Sequence, residues 1–177
     1  MIRSTRSLIK KSCIPALLVL LYVPSAFAAL KPDDPAPVFS LQDNKGKNFS
    51  LDDVVGAKSK EKANGVILSF FASWCMACRY ELPVINSLVD EMKSKGIRVV
   101  IVGFKEDFAR INALLAELKV DKPVVVSDQD GKVGEQYGIR FLPVTFFISA
   151  DGRVKHIIYG EIDDGKKVTE GAEKLLK

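Results

Sequence analysis

At 177 residues the chain has room for one domain and a targeting segment. Its formal net charge of +4 comes from 26 Lys+Arg against 22 Asp+Glu, and four of the basic residues, Arg3, Arg6, Lys10 and Lys11, stand at the very start. The rest is formally neutral and has no basic stripe interleaved with aromatics, which excludes nucleic acid as a partner.

Those four basic residues form the head of an export signal over 1–28. An apolar stretch, Ile14 to Val23, follows, and Pro24-Ser25-Ala26-Phe27-Ala28 ends in an Ala-x-Ala cleavage pattern. About ten apolar residues are short for a membrane span, so cleavage near Ala28 is expected; an uncleaved N-terminal membrane anchor is the alternative. Cys13 precedes the apolar run and leaves with the signal. The remaining chain keeps Cys75 and Cys78 as its only cysteines. A domain of that size builds a core without disulfide staples, so a single pair points to chemistry.

Residues 29–36, with three prolines at Pro32, Pro35 and Pro37 on or beside them, read as an extended lead-in to a domain over 37–177. Val38-Phe39-Ser40-Leu41 and Lys47-Asn48-Phe49 flank the turn Asn44-Lys45-Gly46 as a hairpin, and Ser50 is placed to N-cap a short helix. The mixed charges of Lys58 to Lys62 mark a solvated loop. Gly65 to Phe71 is an apolar run of strand length, and Leu82, Ile85, Leu88/Val89 and Met92 then recur at helical spacing up to Gly96. Ile97 to Phe104 is a second buried strand, followed by a helix capped by Asp107 with Phe108, Ile111, Leu114, Leu115 and Leu118 on one face. Pro123 to Val126, a short helix over Lys132–Tyr137, the strands Pro143–Ser149 and Val154–Tyr159 about an Asp151-Gly152 turn, and a helix from Asp163/Asp164 to Leu176 complete the chain. The order indicates one α/β domain with a mixed sheet and no repeat.

Cys75 and Cys78 fall where the first long strand hands over to its helix. Free amide N–H groups and the positive end of the helix dipole favour a thiolate at Cys75, and three-residue spacing lets Cys78 close a small disulfide with it. Such a pair attacks a substrate disulfide and then resolves the mixed disulfide. A structural disulfide this short would stabilise little, and zinc needs four ligands where residues 29–177 offer two cysteines and His156. No metal and no cofactor is expected.

Phe-Ala-Ser-Trp-Cys-Met-Ala-Cys-Arg-Tyr-Glu-Leu-Pro, at Phe71 to Pro83, resembles the active site of the TlpA/ResA-like exported thiol–disulfide oxidoreductases of the thioredoxin fold. The resemblance runs from about Pro37 to the C-terminus. It implies a thioredoxin-like α/β fold: a mixed central sheet flanked by helices, with an N-terminal β-hairpin and a central βα insertion. It implies catalytic Cys75 and Cys78, and a cis-proline at Pro143 that leaves the Leu142 backbone to pair with an extended substrate segment. It gives Glu81 an acid–base role toward Cys78, whereas a solvated helix residue is the ordinary reading of that position. The acidic residue that thioredoxin buries before its motif is Ser69 here. The family's small hydroxyl residue before the cis-proline is replaced by Leu142. Trp74 belongs to the docking surface. Pro83 is expected to kink the helix.

The function expected is reduction of disulfides in exported proteins, as in cytochrome c maturation, by a monomer in the bacterial periplasm with a membrane thiol carrier as electron donor. Two other readings stand beside it. A thiol peroxidase would share the N-terminal hairpin, but its Pro-x-x-x-Thr-x-x-Cys pattern is absent. A copper carrier would want C-x-x-x-C with a histidine, one residue longer than this motif.

Overall fold

The computed structural model describes residues 29–177, so the expected export signal and its cleavage site lie outside the described residues. The lead-in is less extended than its prolines suggest. Asp34 N–H closes a turn onto the Lys31 carbonyl at 3.1 Å, after which Asp33 and Ala36 donate to the Val154 and Gly152 carbonyls at 2.6 and 2.9 Å. The first hairpin, β1 (Ser40–Gln42) and β2 (Asn48–Ser50), pairs antiparallel and leads into α1 (Leu51–Val54). Ser50 occupies the N-cap of α1, but its side chain makes no cap bond. The hydroxyl instead donates toward the Phe39 carbonyl and the Asp52 carboxylate, tying the hairpin to the helix.

The remaining elements are β3 (Gly65–Phe71), α2 (Met76–Ser94), β4 (Ile97–Phe104), α3 (Phe108–Leu118), β5 (Val124–Asp128), α4 (Lys132–Gln136), β6 (Val144–Ser149), β7 (Val154–Tyr159) and α5 (Gly165–Glu173). They build a five-stranded sheet in the order β5-β4-β3-β6-β7. β3 pairs parallel with β4 and antiparallel with β6. All seven residues of β3 are buried, the expected state of a central strand covered on both faces.

Alternation along the strands sorts the core into two layers. Ile67, Phe71, Val99, Ile101, Val125 and Phe147 meet α2, α3 and α5 on one face. Val66, Leu68, Phe70, Val100, Val102 and Phe146 meet α1, Tyr137 and the first hairpin on the other. α3 starts as expected, with the Asp107 carboxylate accepting the Arg110 N–H at 3.0 Å. α2 runs on through Pro83, and Gly96 with φ 72° turns the chain out of it toward β4.

α5 closes over the sheet where it has no side chain. A Cβ at Gly171 would lie 2.4 Å from the Phe147 ring, itself fully buried. In Gly171→Ala the helix gains about 1 kcal/mol of propensity, against an overpacking cost of about 1–3 kcal/mol. Net destabilisation is expected, read as a lower urea midpoint at unchanged slope; a higher midpoint would show that α5 shifts freely.

Candidate active site

The central strand delivers the motif. β3 ends at Phe71, four residues bridge to α2, and Cys75 is the N-cap of that helix with φ −84° and ψ 109°. The loop closes with Cys75 N–H donating to the Ala72 carbonyl at 3.1 Å. Cys75 Sγ accepts the Cys78 N–H at 3.2 Å, as a cap residue's side chain does. The two cysteines are joined as a disulfide with Cα atoms 5.3 Å apart. Cys78 is wholly buried and Cys75 nearly so, at 7% exposure. Cys75 is thus more covered than an open surface thiol, and it is the member of the pair that solvent reaches. Trp74 beside it is 70% exposed and Met76 64%.

Glu81 is not the solvated helix residue that its charge suggests: it is 1% exposed. It falls three residues after Cys78, on the same stripe of α2 as Leu82 and Ile85, so the helix carries it inward. Ser69 and Thr145 are register partners across β3 and β6, and both present hydroxyls to this face. Ser69 Oγ donates to Glu81 Oε1 at 2.8 Å, and Thr145 Oγ1 lies 2.9 Å from Ser69 Oγ and 3.4 Å from the same carboxylate oxygen. The Ile162 N–H donates to Oε2 at 3.0 Å. Burial pushes the carboxyl up to about 7, while the Ser69, Ile162 and Thr145 donors pull it back. A group so tuned can both give and take a proton near neutral pH.

Leu142 and Pro143 form the turn into β6, and the bond between them is cis. Val144 pairs with Phe70, which sets this turn at the same end of the sheet as the cysteines. Pro143 is buried and Leu142 half-buried. Trp74, Cys75, Cys78, Glu81, Leu142 and Pro143 therefore gather around the β3–α2 junction and the neighbouring end of β6. Among the described residues no cluster of three or more His, Cys, Asp or Glu could hold a metal ion.

One residue of this neighbourhood has no counterpart among the sequence expectations. Glu106, two positions beyond β4, is 2% exposed, and its Oε2 accepts the Ser73 N–H at 2.7 Å. Its other oxygen accepts the Ser73 hydroxyl. In sequence it reads as one acid in Lys105-Glu106-Asp107 before a helix; the partner lies 33 residues away.

A profile of the AhpC/TSA family matches residues 32–157. The thiol-disulfide oxidoreductase ResA of Bacillus subtilis (strain 168) is 32% identical over 129 residues, which cover 73% of this chain and 68% of that protein. The chain belongs to the AhpC/TSA family and is a ResA-like thiol–disulfide oxidoreductase. Among solved structures, a Chlorobium tepidum protein described as a thiol:disulfide interchange protein DsbE superposes with a TM-score of 0.73 at 28% identity, over 84% of this chain and all of that one. Peroxidoxin BcpB of Mycobacterium tuberculosis superposes with a TM-score of 0.67 over 82% of this chain and 96% of its own, but at 22% identity that likeness shows the fold alone.

In this ResA-like protein the buried Glu81 makes stability depend on pH. Its folded value of about 7 lies above its ordinary 4.5. Between those values the folded protein holds a proton that the unfolded chain has lost, so stability falls as pH rises and levels off above about 7. The full swing is about 3 kcal/mol at 1.36 kcal/mol per unit. Urea unfolding of the oxidised protein should show this decline, and Glu81→Gln should remove most of it. Parallel curves for the two proteins would mean that Glu81 is not the titrating group.

Proposed function

We propose that this protein is an exported reductase of disulfides in other exported proteins, acting through Cys75 and Cys78. The observation that carries this reading is the Cys75–Cys78 disulfide at a helix N-terminus, its outer sulfur accepting a helix N–H and its inner sulfur fully buried. In the reduced protein the same N–H and the helix dipole stabilise a Cys75 thiolate. The thiolate attacks one sulfur of the substrate disulfide, forming a mixed disulfide and releasing a substrate thiolate, which takes a proton. Cys78 then loses its proton to Glu81 and attacks Cys75 Sγ. The second substrate thiol leaves and the Cys75–Cys78 disulfide forms, so two electrons have passed to the substrate. A dithiol carrier in the membrane returns the pair to the reduced state.

The basic, then apolar, then Ala-x-Ala pattern over 1–28 supports export with cleavage near Ala28, and the TlpA/ResA-like motif at Phe71 to Pro83 supports exported targets such as apocytochrome c. Among the described residues no helix is long and apolar enough to cross a membrane. Trp74, Leu142 and Pro143 serve as the docking surface, with Trp74 packing on the substrate and the Leu142 backbone pairing with an extended segment. The protein acts as a monomer on this reading.

The test is a pair of cysteine variants. Insulin reduction driven by dithiothreitol should fall to background in Cys75→Ser. Cys78→Ser should instead accumulate covalent adducts with partner proteins, and Cys75→Ser should trap none. Glu81→Gln should slow resolution about tenfold or more and leave the first attack nearly unchanged. Equal trapping by both cysteine variants would overturn the order of attack, and insulin reduction by Cys75→Ser at the parent rate would remove the oxidoreductase reading.

A further inference from the structure

The loop from Ala72 to Cys75 holds Cys75 in the cap position while leaving Trp74 in solvent. One restraint is its own turn bond to Ala72. Another comes from the segment that follows β4. Glu106 reaches back to Ser73 with both carboxylate oxygens, one on the N–H and one on the hydroxyl. Its backbone is anchored from the opposite side: the Ser127 hydroxyl donates to the Glu106 carbonyl at 2.6 Å, and Lys105 N–H donates to the Asp128 carbonyl at 2.9 Å. A hydrogen-bonded line therefore crosses the sheet end from β5, through Glu106, to the residue two before Cys75. The helix that follows Glu106 makes no use of this carboxylate as its cap, because Asp107 fills that place. The carboxylate therefore serves the loop after β3, while the backbone beside it is held from β5.

We propose that Glu106 is a positioning residue for Cys75: its carboxylate clamps Ser73 and through it fixes Cys75 at the N-terminus of α2. The clamp needs a two-pronged hydrogen-bonding group of this length. A carboxylate accepts from both Ser73 donors. A carboxamide also fits, its oxygen taking the N–H and its NH2 donating to the Ser73 oxygen. An alanine leaves both donors without a partner. Loosening the loop weakens the Cys78 N–H to Cys75 Sγ contact, and with it the thiolate. This inference rests on the proposed attack by Cys75, and its test needs no protein substrate.

The chain has one tryptophan, Trp74, immediately after Ser73, so its fluorescence reports on this loop. In a Cys78→Ser background, reduced protein at neutral pH is compared for thiolate absorbance in the ultraviolet and for Trp74 anisotropy. Glu106→Ala should lower the Cys75 thiolate signal about threefold or more and lower the anisotropy, the size expected when hydrogen bonds to a charged group are lost. Glu106→Gln should stay within about twofold of the parent, and Ser73→Ala, which removes one of the two bonds, should fall between them. A folded Glu106→Ala protein with parental thiolate signal and anisotropy overturns the proposal, as does a Glu106→Gln protein that falls as far as the alanine variant. If Glu106→Ala does not fold, Ser73→Ala decides, and no change in either signal overturns the clamp. Failure of insulin reduction by the parent protein would strike the reductase reading and leave these measurements standing.

Discussion

β3 is the constraint from which the rest hangs. It is the middle strand of five, its backbone is paired on both sides, and its side chains are covered on both faces. That leaves one tolerable chemistry along it, an apolar run, and Ser69 is the departure from the rule. A buried hydroxyl costs free energy unless it is bonded. Ser69 meets Thr145 directly across the β3–β6 pairing, and the pair presents donors to Glu81 from the helix above. The strand thus fixes two things at once: where the cysteine motif emerges, and where a carboxylate can be buried beside it.

Three buried acids divide the work of holding segments that have few contacts of their own. Glu81 ties the chain before α5 to the sheet through the Ile162 N–H. Asp128 starts α4, accepting the Val133 and Gly134 N–H groups at 3.1 and 2.8 Å, with burial raising its pKa against those bonds. Glu106 holds the loop ahead of Cys75. Each carboxylate pins backbone N–H groups in a loop or in the first turn of a helix, where a ladder or the helix itself cannot supply acceptors. Among the described residues every buried side-chain nitrogen or oxygen has a partner, so each desolvation cost is offset locally.

The sequence was most legible where one periodicity ruled. The apolar run of β3, the three- and four-residue steps of α2, and the Asp107 cap each reflect interactions within about one turn or one strand, and the structure has them in place. Glu81 was half legible. Its charge says solvent, but its position on the Cys78–Leu82–Ile85 stripe says core, and the stripe prevails because three donors await it. Ser50 stands at the N-cap without a side-chain cap bond, and its hydroxyl donates instead toward the Phe39 carbonyl across the hairpin and the Asp52 carboxylate. Glu106 could not be read at all. Its partner is set by the parallel pairing of β3 with β4, and no local pattern encodes a contact 33 residues apart.

In the proposed mechanism the two cysteines are served by different physics because the fold places them at different depths. Cys75 stands at the end of a helix, where amide N–H groups and the dipole act on a sulfur that solvent reaches. What it needs is geometry, since a cap bond is lost with a small displacement. Cys78 stands one turn deeper and is wholly buried, where the dipole's help fades and a naked thiolate would carry the full cost of desolvation. It needs a proton acceptor already paid for by the fold, and Glu81 sits on the next turn of the same face. Moving that carboxylate to serve Cys75 would break its bonds to Ser69 and Ile162 together. The division between a positioned nucleophile and a base-assisted resolving thiol therefore follows from where β3 ends and which face of α2 is buried.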